Sequence, residues 1–333
     1  MRAPVSYITD NTKLKQDYNL NIPVATHGRE WDIPKVNFER DIPGWNKMGR
    51  TERIVCRAVE DPFFFHTVIM GYCGKDPKNP VALPAQGEWL YGAAKNKRFG
   101  CFAPVAHGKS ICLATSYPLW RYLNDCNIRT AIVSANKDLT ENRMLAIESH
   151  LVENLKFIEI FNRRWGANPK PTKRPGITDT WRLQKKVCFR TKSVGVSDAT
   201  FTGYSFLDKV FGSRFDLEIF DDIIQPLTYA TKNPSICEKY INKLELDWFT
   251  RFDHDNPEKR DIKVIGTFEA AIDIYHHIIE SYWENWQLYK YRAIVRKGDK
   301  HRINITEFMR NLAERKAAGE LVNEFDVSMD DGI

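Results

Sequence analysis

The chain has no run of 18 apolar residues. Its amino terminus, with Asp10, Lys13, Lys15 and Asp17 close together, has no apolar stretch of the kind a secretory leader needs. The expectation is a soluble, intracellular protein. Cys-x-x-Cys pairs are also missing. The seven cysteines (Cys56, Cys73, Cys101, Cys112, Cys126, Cys188 and Cys237) are odd in number and scattered, which argues against a disulfide framework and against a structural zinc site. They read as buried thiols. Internal repeats and low-complexity tracts are absent, so solenoid and disordered architectures drop out. No helix-turn-helix or zinc pattern points to sequence-specific DNA readout. What remains is a chain of 333 residues, 43% hydrophobic and 12% aromatic, enough to fill one large α/β core with an appendage. Its net charge of +6 permits a polyanionic partner without requiring one.

Three stretches follow from proline placement and periodicity. Residues 1–80 carry Pro4, Pro23, Pro34 and Pro43, which forbid long helices early on and predict an extended arm with a small helical lead-in. Residues 81–304 alternate short β-type runs with helical patterns, as a parallel sheet covered by helices requires. Strands are predicted at 98–103, 130–134, 186–190, 217–220 and 262–266. A capping box of Asp138 and Glu141 predicts a helix running to residue 157, with Met144, Ile147, Leu151 and Leu155 on one face. Pro234 at a first helical position predicts another, with Ile236, Tyr240 and Leu244 on one stripe. Residues 305–333 read as a helix ending near Gly319 and then an acidic linker.

Two motifs carry chemistry. Ala103-Pro104-Val105-Ala106-His107-Gly108-Lys109-Ser110 follows an apolar strand and precedes a helix, and resembles a Walker A phosphate loop. Backbone amides of such a loop wrap the β- and γ-phosphates, Lys109 neutralises them, and the Ser110 hydroxyl reaches Mg²⁺. Some 110 residues on, the apolar run before Asp221 and Asp222 resembles a Walker B strand. There the first acid belongs to the magnesium shell and the second orients or activates the attacking water. Alone, the Gly-Lys-Ser triplet also reads as a surface turn and the acid pair as a solvated strand end.

Further matches, in order along residues 80–330, resemble the large subunits of viral terminases. Leu83-Pro84-Ala85-Gln86 is similar to that family's adenine-reading Q motif. Residues 131–136 resemble its second strand-helix unit, and Gly212-Ser213-Arg214-Phe215-Asp216 resembles the lead-in to its acid pair. Val264-Ile265-Gly266-Thr267 with Asp273 resembles its coupling motif. The resemblance implies a P-loop NTPase fold of the RecA/ASCE-like type, with a mainly parallel central sheet flanked by helices, and ATP and Mg²⁺ as cofactors. It implies ATP-driven movement of double-stranded DNA into a capsid. The expected partners are a portal protein and a terminase small subunit, in a homo-oligomeric, pentameric ring in the host cytoplasm. It assigns catalytic roles to Asp222, Lys109, Thr267 and Arg214, with Arg214 acting on a neighbouring subunit's nucleotide and Lys209 and Arg143 as weaker candidates. Gln86 and residues 104–110 would bind nucleotide, and Ser110 and Asp221 the metal.

The departures are Ala103 in place of the first loop glycine, Val105 in place of a loop arginine, and Phe211 where an arginine often precedes Gly212. The family's nuclease domain would follow residue 333, so no nuclease activity is expected of this chain. Arg163, Arg164, Lys170, Lys173 and Arg174 form a basic, proline-rich stretch able to track DNA phosphates without reading sequence. A helicase-like, nucleic-acid-stimulated ATPase and a catalytically weak subunit that binds DNA or portal stay open as alternatives.

Overall fold

A computed structural model describes residues 42–72, 83–170, 183–191, 199–210, 215–224, 234–249, 261–267, 274–291 and 302–318. Its centre is one sheet of eight strands: β1 (Arg98–Phe102), β2 (Thr130–Ser134), β3 (Lys185–Lys186), β4 (Phe201–Ser205), β5 (Leu217–Asp221), β6 (Asp261–Gly266), β7 (Gln287–Tyr291) and β8 (Arg302–Asn304). The spatial order is β3-β4-β2-β5-β6-β1-β7-β8. Neighbours from β4 to β7 run parallel, and the edge strands β3 and β8 pair antiparallel. Parallel neighbours need crossovers. Helices Tyr117–Asn124, Lys137–Val152, Leu155–Trp165, Pro234–Asn242 and Ile274–Tyr282 lie in those connections.

β2, β5 and β6 are buried along their whole length, as befits central strands covered on both faces. Alternation divides their side chains between two cores. Ile132, Ile219 and Ile265 join one cluster, while Val133, Phe220 and Val264 join the other with Trp248, Ile274 and Ile278. The helical lead-in belongs to the first cluster. Ile54 and Val55 of helix Arg50–Glu60, with Phe63, Phe65 and Ile69 after it, pack with Trp89, Leu113, Trp120 and Phe157. Trp120 Nε1 and Asn124 Nδ2 both donate to the Val59 carbonyl, tying the lead-in to the first crossover at 2.9 and 3.1 Å.

Four of the five expected strands are present within a residue. The fifth, at 186–190, is reduced to Lys185–Lys186, because the backbone beyond it leaves the ladder. Cys188 N donates to Thr200 Oγ1, Phe189 N to the Pro169 carbonyl, and Tyr122 Oη to the Phe189 carbonyl. β4, β7 and β8 were not anticipated. The helix expected over 138–157 is two helices. Asn136, extended at φ −144°, caps the first by accepting from Leu139 N, and Asp138 lies inside the first turn. Asn154 then accepts from Phe157 N and caps the helix Leu155–Trp165. The six described cysteines are free thiols, five of them buried.

Gly266, at the carboxyl end of β6, lies under the Tyr275 ring: a Cβ there would stand 2.7 Å from Tyr275 Oη. That hydroxyl accepts from Ile223 N at 3.1 Å, so the ring has little room to yield. Gly266→Ala is expected to lower unfolding free energy in urea titration by about 1–3 kcal/mol, the usual cost of overpacking. An unchanged midpoint would show that Tyr275 moves freely.

Candidate functional site

Strand register assembles the site. Phe102 pairs with Gly266, Ile265 with Asp221, and Asp221 with Ser134, so β1, β6, β5 and β2 end side by side. The segments leaving this carboxyl edge carry the functional side chains, the usual placement in open α/β sheets. Ala103 still belongs to the ladder, its N–H donating to the Gly266 carbonyl at 3.1 Å. Residues 104–108 then turn tightly into a helical stretch that opens at Lys109 and Ser110 and runs through a π-helical segment, Ile111–Ser116. Gly108 (φ 76°) takes the left-handed turn, and a Cβ on it would stand 3.0 Å from Gln86 Nε2. Amides at this helix start point toward the carboxyl edge of the sheet, a favourable setting for an anion.

The structure brings Lys109, Ser110, Asp221, Asp222 and Thr267 together. Ser110 Oγ donates to Asp221 Oδ1 at 2.8 Å. Lys109, 5% exposed, donates through Nζ to Thr267 Oγ1 at 2.5 Å and lies 3.5 Å from Asp222 Oδ1. Thr267 Oγ1 donates in turn to the Ala103 carbonyl at 3.1 Å, closing a link between the β6 end and the loop. Asp222 adopts φ 47°. It and Ala106 (φ 65°) are the two non-glycine residues with positive φ among the described residues. Such conformations cost on the order of 1–3 kcal/mol each and gather at functional sites. Burial, reinforced by the charge of Asp221, pushes the Asp222 carboxyl up to about 6 against the opposing pull of Lys109 and Arg143.

Arg143, on the helix after β2, donates through Nε to Asp221 Oδ2 at 2.6 Å. Among the arginine candidates it is the one seen paired with an acid of the site. Arg214 lies outside the described residues, as do Lys173 and Arg174. Both oxygens of Asp216 accept from the Arg129 side chain, and Oδ2 also accepts from Arg129 N. Of the basic stretch, Arg163 is half-buried against Glu159 at 3.4 Å and Arg164 sits over the Trp165 ring. Lys170 is exposed. Val105 is 67% exposed at the loop tip, and His107 Nδ1 bonds the Val105 carbonyl. Glu218 within β5 is buried, 4% exposed.

The oxygen set suits magnesium. Mg²⁺ takes one or two carboxylates, hydroxyls, waters and substrate phosphates rather than a dense protein cage. Asp221 and Ser110 supply a carboxylate and a hydroxyl, and Ser134 Oγ, buried at the register position beside Asp221, has no hydrogen-bond partner among the described residues. Among the described residues no group of three or more His, Cys, Asp or Glu side chains gathers to hold a metal.

Gln86 is buried beside the loop rather than presented at its rim. Its carbonyl is 3.2 Å from His66 Nε2, and His66 Nδ1 is 2.8 Å from Ser116 Oγ. This network fits the tautomer protonated on Nε2, donating to Gln86 and accepting from Ser116. Nothing in the local sequence marks His66, which lies 20 residues from Gln86 and 50 from Ser116.

Fold and site together define an α/β protein with a mostly parallel sheet, whose carboxyl edge carries a compact Lys-Ser-Asp-Asp-Arg cluster. The chain matches no protein-family model and no curated protein.

Burial lowers the His66 pKa to about 4, opposed by the bond to Gln86 and aided by His150. Between pH 6.5 and 4 the unfolded chain takes up a proton that folded His66 refuses. This contribution is whole above 6.5 and is lost as pH falls. Wild-type melting temperature should drop more than that of His66→Gln across this interval. Parallel pH profiles would remove His66 as the titrating group.

Proposed function

We propose that the chain is an ATP hydrolase, and specifically the motor ATPase of a terminase large subunit that drives double-stranded DNA into a viral capsid. The observation that carries the ATPase reading is the meeting of Ser110 with Asp221 and of Lys109 with Asp222, directly beside a tight strand-to-helix loop. β6 lies between β1 and β5, the inserted-strand order expected of ASCE-type P-loop ATPases, and this supports the same reading.

In this account loop amides of residues 105–110 and the Lys109 ammonium bind the β- and γ-phosphates. Ser110 and Asp221 would hold Mg²⁺, which would supply positive charge against the phosphates. Asp222, with a carboxyl titrating near 6, is ionised at neutral pH and accepts the proton of the attacking water. A triphosphate competes with Asp222 for Lys109, so binding frees the carboxylate it later uses. Thr267, bonded to both Lys109 and the Ala103 carbonyl, transmits the state of the lysine to the end of β6. Gln86 supports the loop at Gly108. Adenine reading by paired hydrogen bonds requires its bond to His66 to open. Arg214 is proposed to act across a subunit boundary.

The packaging role rests on the order of the motifs around 83–86, 103–110, 212–222 and 264–273. It brings with it a portal protein, a terminase small subunit, a pentameric homo-oligomeric ring and the host cytoplasm as proposals. No described helix is long and apolar enough to cross a membrane.

Lys109→Ala should lower ATP turnover by at least about 100-fold, the scale of losing one phosphate-facing donor, with unchanged circular dichroism. Asp222→Asn should keep nucleotide binding and stop turnover, whereas Asp221→Asn should weaken Mg²⁺-dependent binding itself. Full turnover in Lys109→Ala sinks the assignment, and equal binding losses in the two acid variants would show that their roles are divided wrongly.

Arg143→Ala leaves Asp221, whose side chain is 1% exposed, with one partner fewer. Breaking a buried pair costs about 3–5 kcal/mol. Mg²⁺ should therefore raise the melting temperature of Arg143→Ala more than that of wild type. Equal shifts would argue against a metal at Asp221.

A further inference from the structure

At the opposite edge of the sheet, where β1 and β7 begin, lies a cavity of about 620 Å³. Lys95, Lys97 and Arg98 line it from the turn before β1, and Arg310 from helix Ile305–Ala317. Glu284 is the one carboxylate in its wall. Elsewhere in the fold several buried or half-buried cations are neutralised: Arg121 by Asp261, Arg129 by Asp216, Arg143 by Asp221, Lys186 by Glu148. Here, among the described residues, Lys95, Arg98 and Arg310 form no ion pair.

The platform beneath these charges is rigid. Asn96 N and Nδ2 both donate to the Gly92 carbonyl, at 3.0 and 2.9 Å. Lys263, wholly buried under the turn, donates to the Asn96 carbonyl and, at 3.3 Å, to that of Lys97. On the other wall Thr306 Oγ1 donates to the Trp286 carbonyl at 2.7 Å and accepts from Leu288 N at 2.9 Å. Arg310 follows Thr306 by four residues and so stands on the same helix face. Like charges about 10 Å apart repel by roughly 0.4 kcal/mol per pair even in water. Four cations against one carboxylate, fixed round a concavity, make a standing attraction for an anion.

We propose that this cavity is a phosphate-binding site that seats the backbone of duplex nucleic acid. Lys95, Lys97 and Arg310 are exposed and come from two separate elements around an open mouth, a layout suited to successive phosphodiesters. A nucleotide would want an aromatic face, and Trp286, the one indole in the wall, is 4% exposed. The site sits at the amino end of the strand whose carboxyl end launches the phosphate loop. Five residues of β1, roughly 16 Å, separate the two. The choice of duplex DNA deepens the translocase reading and rests on it. The anion chemistry does not.

The test is fluorescence anisotropy of a labelled random-sequence duplex on the full chain at a series of salt concentrations. Arg98→Gln with Arg310→Gln should weaken binding at least tenfold and make the slope of log K against log salt shallower by about 2, one for each lost phosphate contact. Lys95→Gln with Arg310→Gln, both exposed, should do the same if the first pair folds poorly. Glu284→Gln should tighten binding. Unchanged duplex affinity and slope in both double variants overturn duplex DNA as the occupant. The anion site stands in that case if wild type binds millimolar inorganic phosphate by calorimetry and the double variants do not, and falls if they bind phosphate alike. Lys109→Ala separates the two readings. If it still hydrolyses ATP while the double variants lose duplex binding, the ATPase reading fails and the phosphate site stands. If it loses turnover while the double variants bind duplex and phosphate normally, the reverse holds.

Discussion

Two carboxylates at consecutive positions in a buried corner repel each other, and the site is arranged around that constraint. Asp221 ends β5 with its side chain on the face covered by helix Lys137–Val152, where Ser110 and Arg143 take one oxygen each. Continuing the strand would send Asp222 to the opposite face. The left-handed turn at φ 47° instead redirects the chain at the strand end and sets its carboxylate beside Lys109. Two cations thus face two acids, and each acid has its own. The strain at Asp222 is the cost of keeping both at one edge of the sheet. It is sustained by Asp222 N on the Ile265 carbonyl and Ile223 N on Tyr275 Oη, two bonds that fix the backbone on either side.

What sequence reading recovered was chemistry carried by neighbours in the chain. Lys109 and Ser110 are adjacent, Asp221 and Asp222 are adjacent, and apolar runs such as Ala131-Ile132-Val133 announce central strands. The departure at Ala103 has a plain explanation in geometry. Ala103 continues the β1 ladder through Gly266, so a glycine's conformational freedom is not needed there, and the left-handed positions fall at Ala106 and Gly108. β4 and β7 escaped because Phe-Thr-Gly-Tyr-Ser and Gln-Leu-Tyr-Lys-Tyr lack the apolar runs of the central strands. They are recognised as strands only by what they pair with. Arg143 escaped for a similar reason. It lies 78 residues from Asp221, and nothing short of knowing that β2 adjoins β5 places it there.

The lead-in shows the same limit on a larger scale. The extended arm expected from its prolines lies outside the described residues, and the small helical lead-in expected after it is present: residues 54–69 cover one face of the sheet and send His66 to Gln86 beside the loop. That it would contain short helices was legible. Its contribution to the site was not, because a buried neutral histidine is chosen by a cavity and two distant partners rather than by its neighbours in the chain.

β1 joins two chemically opposite ends. Its carboxyl end leads to a loop whose lysine already has a carboxylate and a hydroxyl to hold, so a phosphate arriving there must displace existing bonds. Its amino end adjoins Lys95, Arg98 and Arg310, which form no ion pair among the described residues, and the turn there is held from below by Lys263, itself a β6 residue. β6 therefore touches both: Lys263 braces the turn before β1, and Thr267, just past its end, braces the lysine after it. A displacement of β6 along its axis relative to β1 would strain both contacts at once, because parallel register ties Arg98 to Ile262 and Phe102 to Gly266 in one ladder. The two ends of β1 are thus mechanically one unit. An event that loosens Lys109 from Thr267 has a direct structural route to the turn that carries Lys97 and Arg98, with no movement of the helical layers required.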